Sequence, residues 1–164
     1  GLVDTFKVYS YKPIDSTWPE SVTKKIMGVQ GALWSENISS SKELDYLTFP
    51  KLLALSELAW TPSKRRNWIN FSERVGMLHL PRLDHYGVLY RISPPGINAT
   101  EFSKSILDAN VEFPGLDLKY SVDGSLPSFG SSRYHDPIKI KATSVAMRSF
   151  TSNGRGGRAA AAHY

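Results

Sequence analysis

The stretch with the clearest chemical potential is Gly28-Val29-Gln30-Gly31-Ala32-Leu33-Trp34-Ser35-Glu36. It is a mostly apolar run of strand length that ends abruptly in an indole and a carboxylate. Where a sheet is wrapped by helices, working side chains gather at the points where strands end and loops begin. Trp34 offers a flat apolar wall, and Glu36, two residues on, can accept paired hydroxyl hydrogen bonds. That pairing suits a sugar: the ring stacks on indole, and a hydrogen bond to a charged acceptor contributes about 1.5–3 kcal/mol. Spacing alone leaves two other readings open. A tryptophan at a strand end also packs into cores, and a glutamate after it also caps helices.

Few other residues compete for a chemical role. His79, His85, His135 and His163 show no i, i+3 or i, i+4 pairing, and there are no cysteines. No metal site, disulfide or cofactor is therefore expected. Trp60 and Trp68 fall at helical positions where packing is the expected role, and Trp18, just before Pro19, is likewise expected in a core. Tyr9 and Tyr11 alternate with Val8 and Ser10, which predicts one shared side and no function. Asn37, Asn70 and Asn98 open Asn-X-Ser/Thr sequons, but a glycan on Asn37 would obstruct anything held by Glu36. Asn153-Gly154-Arg155-Gly156-Gly157-Arg158 superficially resembles an RNA-binding Arg-Gly tract, although a single copy between strand-like segments reads as a turn.

The elements that must position Trp34 and Glu36 come next. With 164 residues, 41% apolar, 12% aromatic and 21% charged, the chain has globular composition and room for one domain or two small ones. No apolar run approaches the roughly 20 residues of a membrane span. Gly1–Lys7 has neither a charged n-region nor an apolar h-region, so no export signal is expected here. The net charge is +5, but the cations are scattered, which predicts a solvated surface and no nucleic-acid partner.

Composition shifts near residue 93, where Ser93-Pro94-Pro95-Gly96 blocks helix, so domains are expected over 1–92 and 93–164. In the first, Thr5–Tyr11 reads as extended, 19–26 as a short helix, and 26–34 as a strand buried on both faces. Leu44, Leu47, Leu55 and Leu58 mark a helical stripe, with Pro50 opening the main helix of 50–60. Trp68–Val75 reads as a further helix, and Met77–Leu80 as the lead to the junction. The second half reads as all-β: strands within 113–122, around Ile138 and Ile140, and around Val145–Phe150, with turns at Asp123-Gly124 and Asn153-Gly154. Ala159–Ala162 continues a last strand as readily as a helix.

Several segments, in order, resemble one family. Gly28–Glu36 together with Leu44–Thr61 resembles the last strand and helix of glycoside hydrolase family 20, the β-N-acetylhexosaminidases that include bacterial chitobiases. Lys7–Pro13 is similar to the segment between that family's seventh and eighth barrel strands, and Leu80–Asp84 with Gly87–Arg91 to its exit from the barrel. Ala109-Asn110, Pro114–Leu116, Tyr120–Gly124 and Tyr134–Ile138 resemble the immunoglobulin-like C-terminal domain of chitobiases.

The resemblance implies an α+β chain: a C-terminal fragment of a (β/α)8 TIM barrel followed by a small immunoglobulin-like β-sandwich. It implies that Trp34 lines the pocket around a terminal N-acetylated sugar and that Glu36 accepts hydrogen bonds from its hydroxyls. The implied reaction is substrate-assisted hydrolysis, in which an Asp-Glu pair orients the acetamido group and protonates the leaving oxygen. That pair is missing, because the 15 acidic residues include no Asp-Glu dipeptide. The expected partners are an N-acetylglucosamine-containing oligosaccharide and the remainder of the barrel. The chain alone is then expected to be inactive, prone to self-association through its first half, and derived from an exported enzyme. A second reading makes the β half a carbohydrate-binding module or a structural brace.

Overall fold

The computed structural model describes residues 3–36 and 38–163. The architecture is α+β, in two compact units, Gly1–Tyr90 and Arg91–Tyr164.

The first unit is helical among its described residues. Helix α1, Thr5–Tyr9, starts where the Asp4 carboxylate accepts from the Lys7 backbone N–H at 2.7 Å. That cap overrides the extended reading of Thr5–Tyr11, and it separates the two tyrosines: Tyr9 is buried while Tyr11 is exposed. Helix α2 is short, Glu20–Thr23, and Trp18 before it stands half exposed rather than in a core. Helix α3, Ser41–Thr48, and helix α4, Lys51–Trp60, are divided by Phe49-Pro50, with Pro50 at the N-cap of α4 as expected. Helix α5, Trp68–Arg74, is capped by Asn67. Instead of leading to a junction, Val75–His79 then forms a π-helical turn that runs straight into α6, Leu80–His85.

Helix α1 packs on α4, and an aromatic cluster ties in α5. Trp68 lies edge-on to Phe6 at 4.9 Å and to Tyr9 at 5.1 Å, and Phe71 lies 5.0 Å from Tyr9. Trp68 is thus a packing residue, as its helical position suggests. Trp60, at the end of α4, is not: it is 87% exposed. Polar ties reinforce the cluster. Arg66 Nη1 donates to the Tyr9 carbonyl at 3.2 Å, and Arg74 Nη2 donates to Glu57 Oε1 at 2.9 Å.

The second unit is built on antiparallel pairs. Strands β1 (Gly96–Ile97) and β3 (Ala109–Asn110) pair, as do β2 (Ile106–Leu107) and β6 (Ile138–Lys139). A larger sheet has the order β5-β4-β7-β8, from Ser132–Arg133, Asp117–Ser121, Ser144–Phe150 and Gly156–His163. The Ala159–Ala162 run thus lies inside the last strand. A one-turn helix, α7 (Ala99–Phe102), leads into β2 and buries Phe102. Leu118 from β4 and Val145 and Met147 from β7 meet Phe102, Leu107 and Tyr134 in one core. The period-2 alternation of β7 thereby directs alternate side chains inward. Both expected turns are present: Gly124 and Gly154 adopt φ of 82° and 85°, which a residue with Cβ rarely does.

Candidate functional site

The segment that ends in Trp34 and Glu36 runs from Ile26 to Ser35 without turn or bend. The strand expected over 26–34 is not formed, and the segment is not buried on both faces. Among the described residues no strand lies beside it, and a strand exists only as a member of a ladder. Met27 is fully exposed, and Leu33 is exposed as well.

One face of this segment rests on α4. A Cβ built on Gly31 would come within 2.9 Å of Leu55 Cδ2, so glycine permits a close approach there. Beside the contact lies an apolar groove of about 600 Å3. Val8 and Tyr11 line it from the α1 side, Val29–Leu33 from the segment, and Leu47, Leu52, Leu55 and Leu58 from α3 and α4. Lys7, Thr48 and Lys51 add polar atoms to its lining. Sequence reasoning did not anticipate this groove, because its residues come from four separated stretches; the leucine stripe of α3 and α4 was the available signal.

The lining ends at Leu33, so Trp34 and Glu36 lie outside the groove. Trp34 is 78% exposed and makes no ring contact with another described residue. Glu36 is exposed in the turn closed by Ile38 N–H donating to Ser35 O at 3.0 Å. Neither a core role for Trp34 nor a cap role for Glu36 describes what is seen. The cap of α3 is Ser40, whose Oγ accepts from the Glu43 N–H at 3.2 Å, while Glu43 Oε2 accepts from Ser39 N–H and Oγ at 2.7 Å. Those bonds from Ser39 hold the Glu43 carboxyl below its usual range. The carboxylate that serves the helix is therefore Glu43, which leaves Glu36 unengaged by any described neighbour.

Two further titratable groups in this unit are displaced. Burial raises the Tyr9 phenol, helped by the nearby Glu57 carboxylate. Burial lowers His79, with the cations Arg82 and Arg74 acting in the same direction. Among the described residues no group of three His, Cys, Asp or Glu side chains could hold a metal ion, and no helix is long and apolar enough to cross a membrane.

Residues 1–63 match the family description "Glycosyl hydrolase family 20, catalytic domain", and residues 79–159 match "Chitobiase/beta-hexosaminidase C-terminal domain". The first part of the chain is thus similar to the catalytic domain of glycosyl hydrolase family 20, and the second to the chitobiase-type C-terminal domain. Trp34 and Glu36 fall inside the catalytic-domain match. Curated relatives agree. A Beta-hexosaminidase of Vibrio vulnificus is 29% identical over 95% of this chain and 23% of its own length. A Beta-hexosaminidase of Porphyromonas gingivalis is 29% identical over 94% of this chain and 21% of its own. The N,N'-diacetylchitobiase of Vibrio harveyi is 28% identical over 64% of this chain and 14% of its own. The chain thus spans less than a quarter of the length of these relatives.

Proposed function

We propose that this chain supplies one edge of the sugar pocket in an exo-acting β-N-acetylhexosaminidase that removes terminal N-acetylhexosamine from chitooligosaccharides. The observation that carries the reading is the placement of Trp34 and Glu36. They stand two residues apart, exposed, at the end of a straight run seated on α4 at Gly31. An indole face takes the apolar side of the terminal sugar, and a carboxylate free of capping duty takes its hydroxyls. The substrate's acetamido oxygen attacks the anomeric carbon, with retention through an oxazolinium intermediate. The Asp-Glu pair for that step comes from residues outside this chain, which has no such dipeptide. The isolated chain is accordingly inactive.

In this reading the first unit is the last strand-and-helix piece of a (β/α)8 barrel. Residues 26–35 become a strand when barrel neighbours bond both edges, and the apolar groove is covered by the remainder of the barrel. Without that cover, exposed Met27, Leu33 and Trp34 favour self-association. The second unit serves as an immunoglobulin-like brace. Sugar platforms need aromatics exposed in a row, whereas Phe102, Phe113, Tyr134 and Phe150 are buried, Tyr120 is half-buried, and Phe129 stands exposed by itself among the described aromatics of this unit. Export to the compartment where chitin-like polymers lie is part of the proposal.

The test is kinetic, on the parent enzyme with an aryl N-acetylglucosaminide. Losing a charged acceptor worth about 1.5–3 kcal/mol predicts that Glu36→Gln lowers kcat/KM by roughly ten- to a hundredfold. Trp34→Ala is expected to lose more, because the acetamido group also loses the wall that holds it for attack. Unchanged kcat/KM in both variants sinks the assignment.

A further inference from the structure

The hairpin between β7 and β8 holds an asparagine poised against its own backbone. Asn153 is exposed, and Gly154, with φ of 85°, places no side chain over its own nitrogen. The asparagine Oδ1 accepts from Thr151 Oγ1 and, at 3.4 Å, from the Arg155 N–H. Thr151 is itself buried and accepts from Arg155 N–H through Oγ1 at 3.1 Å, so this small network is held from below. Two donors aimed at one amide oxygen draw electron density from Cγ. They also stabilise the oxyanion that forms when a nucleophile adds to that carbon. The nucleophile that can close a five-membered ring on Cγ is the Gly154 nitrogen, whose N–H now donates to Thr151 O at 2.9 Å and must leave that bond to react.

We propose that Asn153 is a self-modification site, deamidated by its own hairpin. The Gly154 nitrogen attacks Asn153 Cγ, a C–N bond closes a five-membered imide, and the side-chain nitrogen departs as ammonia carrying the proton that Gly154 loses. Water then opens the imide. Addition at the side-chain carbonyl gives aspartate, and addition at the main-chain carbonyl gives isoaspartate, whose extra backbone carbon lies in the turn. The aspartate product keeps an acceptor for Thr151 and Arg155 and adds a negative charge. The isoaspartate product lengthens the turn beside the point where the β7–β8 ladder already slips, between Arg148 and Phe150.

The experiment is incubation of the intact chain at mildly alkaline pH, then cleavage after arginine and mass analysis of the peptide 149–155. One aliquot stays folded and another is held in denaturing urea. The expected result is the mass shift of an amide converted to an acid, faster in the folded aliquot, with isoaspartate detectable by an isoaspartyl methyltransferase. Thr151→Val removes one donor and is expected to slow the folded rate while leaving the urea rate unchanged. Asn153→Gln is expected to abolish the shift in both. A folded chain that deamidates more slowly than the unfolded one, or a Thr151→Val chain that matches the parent when folded, overturns the proposal.

Discussion

Tyr9→Phe should make the first unit more stable. Tyr9 is 7% exposed, its ring 5.1 Å from Trp68 and 5.0 Å from Phe71, yet its hydroxyl has no hydrogen-bond partner among the described residues. A hydroxyl removed from water without a partner costs about 1–3 kcal/mol in protein mutational data. Phenylalanine keeps both ring contacts and removes only that cost. The Glu57 carboxylate helps raise the phenol pKa by repelling an ionised phenolate, so it does not act on the neutral hydroxyl and leaves this gain in place. A net gain of about 1 kcal/mol is expected.

The assay is urea unfolding followed by tryptophan fluorescence. All four tryptophans, Trp18, Trp34, Trp60 and Trp68, belong to the first unit, so the signal reports on that unit alone. With a slope of about 1–3 kcal/mol per molar urea, the midpoint should rise by roughly 0.3–1 M at unchanged slope. Tyr9→Ala is the control and should lose about 3–5 kcal/mol, because the ring contacts go too. A Tyr9→Phe midpoint that falls instead would refute the argument, since it would mean the hydroxyl is satisfied, for instance by a bound water.

Two further perturbations test the same unit. Ser40→Ala removes the N-cap of α3 and should cost about 1 kcal/mol, read as faster amide exchange in that helix. The Glu43 carboxyl is held low by Ser39, so its contribution is full above the usual carboxylate range and disappears as pH falls through the folded value; amide protection in α3, relative to the intrinsic exchange rate at each pH, should fall in acid, and less so in Glu43→Gln. His79 has its pKa lowered by burial and then by Arg82 and Arg74, so the folded state binds fewer protons than the unfolded one. Stability is therefore full above the ordinary histidine range and declines as pH drops through it. Between about pH 7.5 and 5.5 the urea midpoint should fall, and His79→Gln should flatten that slope. An equal slope in the variant assigns the pH dependence to other groups.

What the sequence made legible divides along physical lines. The α3–α4 break was readable because Pro50 has no N–H to continue a helix, and the β7–β8 hairpin because Asn153-Gly154 meets the need for φ above zero. Both signals are local and covalent. Helix α1 was missed because five residues are too few to show a 3.6 period, and Val8, Tyr9 and Tyr11 imitate strand alternation; the readable clue was Asp4 three residues ahead of the Lys7 N–H. The exposure of Trp60 and Trp18 was missed for a different reason. Helical position says which residues share a side, but not which side faces an existing neighbour.

The segment Ile26–Ser35 makes the same point where it bears on function. Its apolar run and two glycines read as a strand buried on both faces, yet it lies straight, largely exposed and unpaired among the described residues. Sequence pattern specifies the environment a segment requires, and a ladder also requires partners to supply hydrogen bonds. What this unit supplies by itself is the other half of the requirement. The Gly31–Leu55 approach fixes the segment on α4, and the Ser40–Glu43 cap supports the helix that follows the turn carrying Glu36. If, as proposed, neighbouring strands pair with it, a segment already seated on its helix has the direction in which Trp34 and Glu36 are delivered. In the proposed reading, the chemistry of those two residues depends on the remainder of a barrel for burial and on this chain for aim.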